Sequence, residues 1–191
     1  MEQATDFYYC IALPKAGIEI KIVKRLNRAF TMGNFEDIDF LSICPQKDVL
    51  LQHHGKWEKV KKPMIPGYLM VRTTAEPLFV QNLLYDGHCP GRLLRYGENG
   101  GYALYGRDLA YAQWVFSYGG TIGLSKVRLV PGSHVQVISG PLKAMQGVIE
   151  KVEKKGRKVW INITMMNQVV KVSIGAEFLQ PDEPDNTPIS Y

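Results

Sequence analysis

Small apolar residues alternate with polar ones in the last third of the chain, and this period of two restricts it to β-structure. The alternating positions are Val135, Val137, Val148, Val152, Val159, Ile161, Ile163, Val170, Val172 and Ile174. The segments at residues 155–157 and 165–168 interrupt the pattern and predict turns. Several short strands joined by turns predict a small β-barrel over residues 131–180.

The first 117 residues alternate between strand-like and helix-like segments instead. Residues 7–13 form a short apolar run that predicts a strand, and Ile18, Ile22, Leu26 and Phe30 then recur four apart, which predicts a helix. Further strands are predicted at 38–43, 67–72 and 93–96, a hairpin over 48–60 with its turn at 53–56, and helices at 77–85 and 108–116. This order predicts a mixed α/β sandwich.

Four segments follow from these patterns. Residues 1–117 form the first domain, 118–130 a Gly-containing linker, 131–180 the β-barrel, and 181–191 an acidic, proline-rich tail expected to be disordered. The predicted fold class is α+β, with an antiparallel sheet flanked by helices followed by an SH3-like barrel.

The composition indicates which partners, bonds and compartment to expect for this chain. The chain carries a formal net charge of +5, which suits a nucleic acid or an acidic protein partner but also suits simple solubility. Its three cysteines are far apart and show no C-x-x-C spacing, so neither a disulfide framework nor a structural zinc is expected. Without a signal-like start or an apolar run of about 20 residues, a cytoplasmic protein without membrane contact is expected.

Enzymatic chemistry finds no support in the residue pattern. His53 and His54 are adjacent, so in an extended segment they point to opposite faces and do not predict a metal site. His88 and Cys89 have no third group to orient them as a nucleophile pair. We therefore expect a non-enzymatic protein with no cofactor and no metal.

Residues 131–148 (PGSHVQVISGPLKAMQGV) match a known motif. Two alternating valines precede Gly140-Pro141, which predicts a tight turn, and Gly147 follows before a valine. The stretch resembles the KOW motif of ribosomal proteins and transcription factors. It departs from that motif at Ala144, where a glycine is usual, and at Met166-Asn167-Gln168, where F-G-R is usual; Asn167 still suits a left-handed turn.

A second match lies in residues 63–71 (PMIPGYLMV). Pro66-Gly67-Tyr68 and the strand after it resemble the signature of the N-terminal (NGN) domain of the NusG family, although Ile65 replaces the usual aromatic residue. Phe7-Tyr8-Tyr9 resembles the opening strand of that domain. The two signatures, in this order, identify the chain as resembling NusG-family elongation and antitermination factors. Residues 170–177 (VKVSIGAE) look more similar to the specialised LoaP paralogues.

The resemblance implies that the first domain binds the clamp helices of RNA polymerase through an exposed apolar pocket. The matching positions are Tyr8, Pro66, Gly67, Tyr68 and Met70, and Gln81 and Asn82 would reach the opposite side of the polymerase cleft. Strand alternation places Tyr68 and Met70 on one face of the sheet. The alternative is that these residues belong to the core, or to a solvated helix face in the case of Gln81 and Asn82.

Two basic surfaces are candidates for nucleic-acid binding. One surrounds the first helix and could contact upstream or non-template DNA: Lys15, Lys21, Lys24, Arg25 and Arg28. The other surrounds a barrel turn and combines cations with an aromatic ring, which suits RNA: Lys151, Lys154, Lys155, Arg157, Lys158 and Trp160. Solvated surfaces are the alternative at both places.

The resemblance leaves the partner of the barrel open. LoaP-like proteins use this domain for RNA, whereas NusG uses it for a ribosomal protein or the Rho terminator. A monomeric polymerase-bound factor that promotes processive elongation is the leading hypothesis. A stand-alone RNA-binding or ribosome-associated KOW protein is the alternative.

Overall fold

A computed structural model describes residues 5–130 and 134–180 of the 191-residue chain. The helices are α1 (Glu19–Gly33), α2 (Pro77–Asp86) and α3 (Gly106–Ser117), and a 3₁₀ helix spans Pro141–Val148. The strands are β1 (Phe7–Ala12), β2 (Phe40–Ile43), β3 (Gln46–His53), β4 (Lys56–Pro63), β5 (Tyr68–Thr73), β6 (Arg92–Leu93), β7 (Thr121–Ile122), β8 (Ser125–Val130), β9 (His134–Ser139), β10 (Ile149–Glu153), β11 (Lys158–Met165) and β12 (Gln168–Leu179). The predicted α+β class is confirmed.

The chain divides into two compact units. Unit 1 comprises Met1–Pro45, Ile65–Gly120 and Thr164–Gln168, and unit 2 comprises Gln46–Met64, Thr121–Ile163 and Val169–Tyr191. The sequence predicted a single boundary region at 118–130 and placed the hairpin over 48–60 in the first domain. In the structure that hairpin belongs to unit 2. None of the helices in the described ranges has the length and apolar character of a membrane-spanning segment.

Unit 1 is built on an antiparallel sheet with the strand order β2-β5-β1-β6. Tyr9 lies opposite Val71 and Ile11 opposite Leu69, so these four side chains share one face. They form a common core with buried residues of α1 and α2: Ile22, Leu26, Val80, Leu83 and Leu84. Each such side chain contributes about 1.5–3 kcal/mol when it leaves water, so this face holds both helices on the sheet.

The opposite face of the same sheet lies against α3. The ring of Tyr8 meets that of Phe116 edge to face, with 5.4 Å between centroids, and the Arg72 guanidinium lies 5.9 Å from the Phe116 ring. Cys10 and Met70 are paired across β1 and β5 on this face and are fully buried. Helices therefore cover both faces of the sheet, as the alternation of segments predicts.

Unit 2 contains a five-stranded sheet with the order β10-β11-β12-β8-β9. Along β11 every second residue is buried, namely Val159, Ile161, Ile163 and Met165, which confirms the predicted period of two. Within the described ranges no pairing joins β10 to β9, so the five strands form a half-barrel, and the predicted SH3-like barrel is confirmed to that extent.

The predicted linker is wrong for residues 125–130, which form β8. Ser125 and Val127 alternate on the buried face of this strand, and β8 runs parallel to β12 with Ser125 opposite Ala176. The hydroxyl of Ser125 also accepts a hydrogen bond from the N–H of Leu142 at 3.0 Å. The basic residues between the apolar ones gave this segment a linker-like composition, although its alternation is that of a strand.

The β3–β4 hairpin joins unit 2 because its backbone lies very close to β12. A Cβ atom on Gly175 would lie 2.6 Å from the Asp48 carbonyl oxygen and 3.1 Å from the Val49 Cα, so only glycine fits there. The first residues of β3 also pair in parallel with β7, with Gln46 opposite Thr121. The hairpin is thus part of the second unit despite its position early in the sequence.

The predicted turns are confirmed by their backbone angles. His54 and Gly55, the two residues between β3 and β4, both have positive φ (48° and 78°). Met166 and Asn167, between β11 and β12, also have positive φ (51° and 62°). Two central residues with positive φ form the two-residue turn that suits the twist of an antiparallel hairpin. The β11–β12 turn therefore forms without the usual F-G-R.

Candidate nucleic-acid interface

Positive charge is concentrated in unit 2. Its described residues hold 14 Lys and Arg against five Asp and Glu, whereas the described residues of unit 1 hold nine against nine. The net charges over the described residues are therefore +9 for unit 2 and 0 for unit 1, a contrast that the whole-chain value of +5 conceals. A unit with this excess attracts phosphate groups through its summed field.

The β10–β11 hairpin presents most of the basic residues predicted for this part of the chain. Lys151, Lys154 and Lys155 are exposed, and Lys158 lies 4.0 Å from the Glu153 carboxylate. Trp160 is half-buried on the outer face of β11, where its Nε1–H donates to Glu153 Oε2 at 3.5 Å. The hairpin therefore places several unburied cations beside one indole ring.

Arg157 links this hairpin to the β3–β4 hairpin. Its guanidinium lies over the Trp57 ring, 4.8 Å from the centroid, a geometry that contributes about 0.5–1 kcal/mol at an exposed site. Its backbone carbonyl accepts the Ala176 N–H at 2.9 Å, and its φ is positive (48°). Arg157 thus has a structural role, which was not predicted, in addition to its place in the basic surface.

Three lysines converge on the β3 side of unit 2. Lys47 and Lys62 lie directly opposite each other in the antiparallel pair β3–β4, and Lys158 on β11 is near enough for its charge to act on Lys47. Burial, followed by the charges of Lys62 and Lys158, lowers the pKa of Lys47 to about 8. Lys47 therefore loses part of its charge near neutral pH, which few lysines do.

Sequence reasoning did not select Lys47, Trp57 or Lys62 as functional residues. A signal for the lysine pair was nevertheless present in the sequence. A two-residue turn at His54-Gly55 places Lys56 opposite His53, and counting outward from it places Lys62 opposite Lys47. No local signal indicated that Trp57 would meet Arg157, since the two residues are 100 positions apart.

The predicted basic surface of α1 is exposed but belongs to a unit with no excess of positive charge. The residues concerned, Lys15, Lys21, Lys24, Arg25 and Arg28, all face solvent. Arg25 and Arg28 line a groove of about 420 Å³ together with Met32, Phe35 and Asp86. The local field of these cations is weakened by acidic residues of the same unit, so unit 2 is the better candidate interface for nucleic acid.

The residues predicted to contact polymerase divide into exposed and buried groups. Pro66 and Asn82 are exposed, while Tyr8, Tyr68 and Gln81 are half-buried. Met70 is only 1% exposed, so its prediction as a contact residue is wrong for this structure: α3 covers its face of the sheet. Gly67 is also buried, which leaves its neighbours Pro66 and Tyr68 as the accessible part of the motif.

Glu19 holds the Pro66-Gly67-Tyr68 turn in place. Its carboxylate is 2% exposed and accepts the N–H of Gly67 at Oε1 and the N–H of Gly17 at Oε2, both at 2.7 Å. Gly67 has a φ of 83°, which suits glycine. This buried carboxylate was not predicted, although an acidic residue in the first turn of a helix is a common position for binding free N–H groups.

Beside this turn, Tyr68 lines an open groove of about 590 Å³. The other lining residues are mostly apolar: Ala12, Leu13, Pro14, Pro90, Gly91 and Arg92. A half-buried tyrosine in an apolar groove provides a large contact area at a low cost in side-chain entropy. The groove can therefore receive an apolar side chain of a partner protein.

The structure places the two histidines considered as metal ligands at an exposed turn and Cys89 in a buried position. His53 and His54 belong to the exposed end of the β3–β4 hairpin, and no group of three or more metal-binding side chains lies together in residues 5–130 and 134–180. Burial raises the pKa of the Cys89 thiol, against a smaller opposite effect of Arg25. A thiol of this kind is a poor nucleophile at neutral pH.

Comparisons with known proteins find similarity at the level of structure. Neither a family model nor a curated protein matches the sequence. Among solved structures, NusG of Thermotoga maritima, from a study of domain interaction in that protein, has 16% sequence identity and a TM-score of 0.48, with 90% of this chain and 94% of that chain covered. A similarity at this level says nothing about partners or activity.

Proposed function

We propose that the protein is a non-enzymatic transcription elongation factor of the NusG type. Unit 1 binds RNA polymerase, and unit 2 binds nucleic acid, preferably RNA, through its basic surface. The observation that carries this proposal is the separation of charge: over their described residues, unit 2 has a net charge of +9, whereas unit 1 is neutral. The two units therefore suit partners of different chemistry.

The polymerase part of the proposal is supported by the groove beside Tyr68. Pro66 and Tyr68 belong to the motif that resembles the polymerase-binding turn of NusG-family proteins, and Glu19 fixes this turn through the N–H of Gly67. A rigid turn beside an apolar groove loses little entropy when a partner binds. Such a factor, by holding the polymerase in its closed state, would favour elongation by a shift of population.

The RNA part is supported by cations that lie beside aromatic rings. The exposed Lys151 lies directly opposite Trp160 in the β10–β11 pair, and Arg157 lies over Trp57. Phosphate neutralisation together with base stacking is the usual combination for single-stranded RNA. A LoaP-like use of the KOW unit for RNA agrees with this surface better than recruitment of a ribosomal protein or Rho, which would not require so large an excess of cations.

Replacing Tyr68 with alanine is expected to weaken binding to core RNA polymerase about tenfold, because the largest side chain of the groove is lost. The measurement is a titration of labelled full-length protein with core polymerase. Tyr118→Ala, which removes an exposed tyrosine from the end of α3, is the matched control and is expected to leave the affinity unchanged. Equal affinities for the Tyr68 and Tyr118 variants would contradict the assignment of this groove.

A protein that binds RNA but shows no affinity for polymerase would instead be a stand-alone RNA-binding module. The charge of unit 2 is compatible with both functions, so the polymerase titration decides between them. If unit 2 bound a ribosomal protein and no RNA, the alternative that this unit recruits a protein would be favoured.

A further inference from the structure

Lys47 and Lys62 form a cross-strand pair of like charge. Residues directly opposite each other in an antiparallel pair have Cβ atoms about 5 Å apart, and their side chains leave the same face of the sheet. Like charges in this arrangement destabilise a sheet. Lys158 follows Arg157, whose carbonyl accepts the Ala176 N–H at 2.9 Å, and the neighbouring Gly175 lies against the Asp48 backbone. The start of β11 therefore lies near β3, and the charge of Lys158 acts on Lys47. Folding alone gives no reason for this arrangement.

The charged groups that act on Lys47 are both cations. They are Lys62 on β4 and Lys158 on β11, while the β7 residues paired with β3, Thr121 and Ile122, carry no titratable side chain. Asp48 is adjacent in sequence but on the opposite face of β3, where it lies 3.8 Å from Lys59. Glu153 lies 4.0 Å from the Lys158 ammonium group. The three lysines thus lack a matching set of carboxylates in the described part of the chain.

The partial burial of Lys47 makes the lack of a carboxylate partner more costly. Lys47 is only partly accessible, whereas an unconstrained lysine extends its ammonium group fully into water. Holding a partly desolvated ammonium group between two others costs free energy, and an anion that bridges them offsets this cost. A tetrahedral phosphate has enough acceptor oxygens for three ammonium groups.

We infer that Lys47, Lys62 and Lys158 together bind one phosphate group of a nucleic-acid backbone, an inference that rests on the nucleic-acid role proposed above. The site combines the β3–β4 hairpin with β11. It therefore extends the interface from the predicted hairpin 151–160 to a segment that precedes it by about 100 residues. RNA and DNA both carry the phosphate group that this site recognises.

Proton uptake is the distinctive property of such a site. Because the pKa of Lys47 in the free protein is about 8, half of the molecules lack this charge at pH 8. A bound phosphate stabilises the ammonium form and raises the pKa, so binding takes up about half a proton at pH 8. Affinity consequently falls as the pH rises, by up to about tenfold between pH 7 and pH 9.

The experiment measures binding of the full-length protein to a fluorescent oligoadenylate of about 12 nucleotides between pH 6.5 and pH 9 at constant ionic strength. Adenine and phosphodiester groups do not titrate in this range. The wild-type affinity is expected to fall with pH. Lys47→Arg, whose guanidinium stays charged, is expected to bind with an affinity that no longer depends on pH. Lys61→Gln, on the opposite face of β4, removes one charge but is expected to keep the wild-type pH dependence.

Salt dependence gives a second readout. Lys47→Gln combined with Lys62→Gln is expected to reduce the slope of log affinity against log salt by about 0.7, the loss of one phosphate contact on a single strand. An oligodeoxyadenylate of the same length tests whether RNA is preferred over DNA at this site. The inference would be overturned if Lys47→Arg kept the pH dependence of the wild type. It would also be overturned if the double variant changed the salt slope no more than Lys61→Gln does.

The outcomes separate this inference from the proposed function. The lysine variants are expected to bind core polymerase as the wild type does, because the groove beside Tyr68 belongs to unit 1. A chain that binds oligoadenylate in the expected pH-dependent way but ignores polymerase retains the phosphate site and loses the elongation function. If the protein binds polymerase but its affinity for oligoadenylate does not depend on pH, the elongation function is retained and the phosphate site is lost.

Discussion

Gly175→Ala is expected to lower the free energy of unfolding of unit 2 by about 3 kcal/mol. The added Cβ would lie 2.5 Å from Leu124 Cδ2 and 2.6 Å from the Asp48 carbonyl oxygen. The leucine end can move, but the backbone of β3 cannot without separating from β12. Overpacking of this kind costs about 1–3 kcal/mol, and contact with backbone places the change at the upper end.

Hydrogen exchange measured by mass spectrometry checks this effect in each unit separately. Peptides from β3 and β4 are expected to lose protection in the Gly175 variant, while peptides from β1 and β5 keep it. Gly123→Ala is the matched control, since no atom lies within 4 Å of the added Cβ and its φ is not positive. Unchanged protection of β3 in the Gly175 variant would mean that the hairpin does not belong to unit 2.

Glu19→Ala is expected to destabilise unit 1 by about 3 kcal/mol. The carboxylate accepts two N–H groups at 2.7 Å, and hydrogen bonds to a charged group contribute about 1.5–3 kcal/mol each. Its loss leaves the buried Gly67 N–H without an acceptor and frees the turn that carries Tyr68. Polymerase binding is therefore expected to weaken together with stability.

Glu19→Gln separates these contributions. Glutamine keeps one acceptor oxygen but places an amino group where the second oxygen was, so one of the two hydrogen bonds is retained. An intermediate loss of about 1.5 kcal/mol is expected in urea-induced unfolding of unit 1 followed by hydrogen exchange. Equal stability of the alanine variant and the wild type would show that Glu19 does not hold the turn.

Local patterns predicted the elements of this protein well. The spacing of Ile18, Ile22 and Leu26 predicted α1, whose buried face is formed by Ile22 and Leu26, and the alternation along β11 predicted a strand with one buried face. Both patterns depend only on the geometry of the element itself. Boundaries were within a few residues wherever a glycine, proline or asparagine ended the pattern, as Asn34 does for α1.

Assignment of elements to units required information that local patterns do not contain. The β3–β4 hairpin was predicted at the correct residues, but its membership in unit 2 depends on Gly175, which is more than 110 residues further along the chain. The same limitation explains Met70. The strand alternation predicted correctly on which face of the sheet Met70 lies. Its burial depends on α3, which begins 36 residues later in the sequence.

The candidate site was predicted in part for the same reason. Lys154 and Lys155 lie within six residues of Trp160 in the sequence and were selected by composition. Lys47 and Trp57 become part of the surface only because two distant hairpins belong to one unit. The charge of unit 2 was likewise underestimated, since the sequence assigned the lysines of β4 to the first domain.

The central claim is that unit 1 binds polymerase while unit 2 binds nucleic acid in the same complex. A photo-crosslinking amino acid placed at Lys154, or separately at Tyr68, tests it directly in an elongation complex assembled from core polymerase, template and transcript. Position 154 is expected to crosslink to nucleic acid and position 68 to a polymerase subunit. Crosslinks from position 154 to protein alone, or none to polymerase from position 68, would contradict the proposed division of roles between the two units.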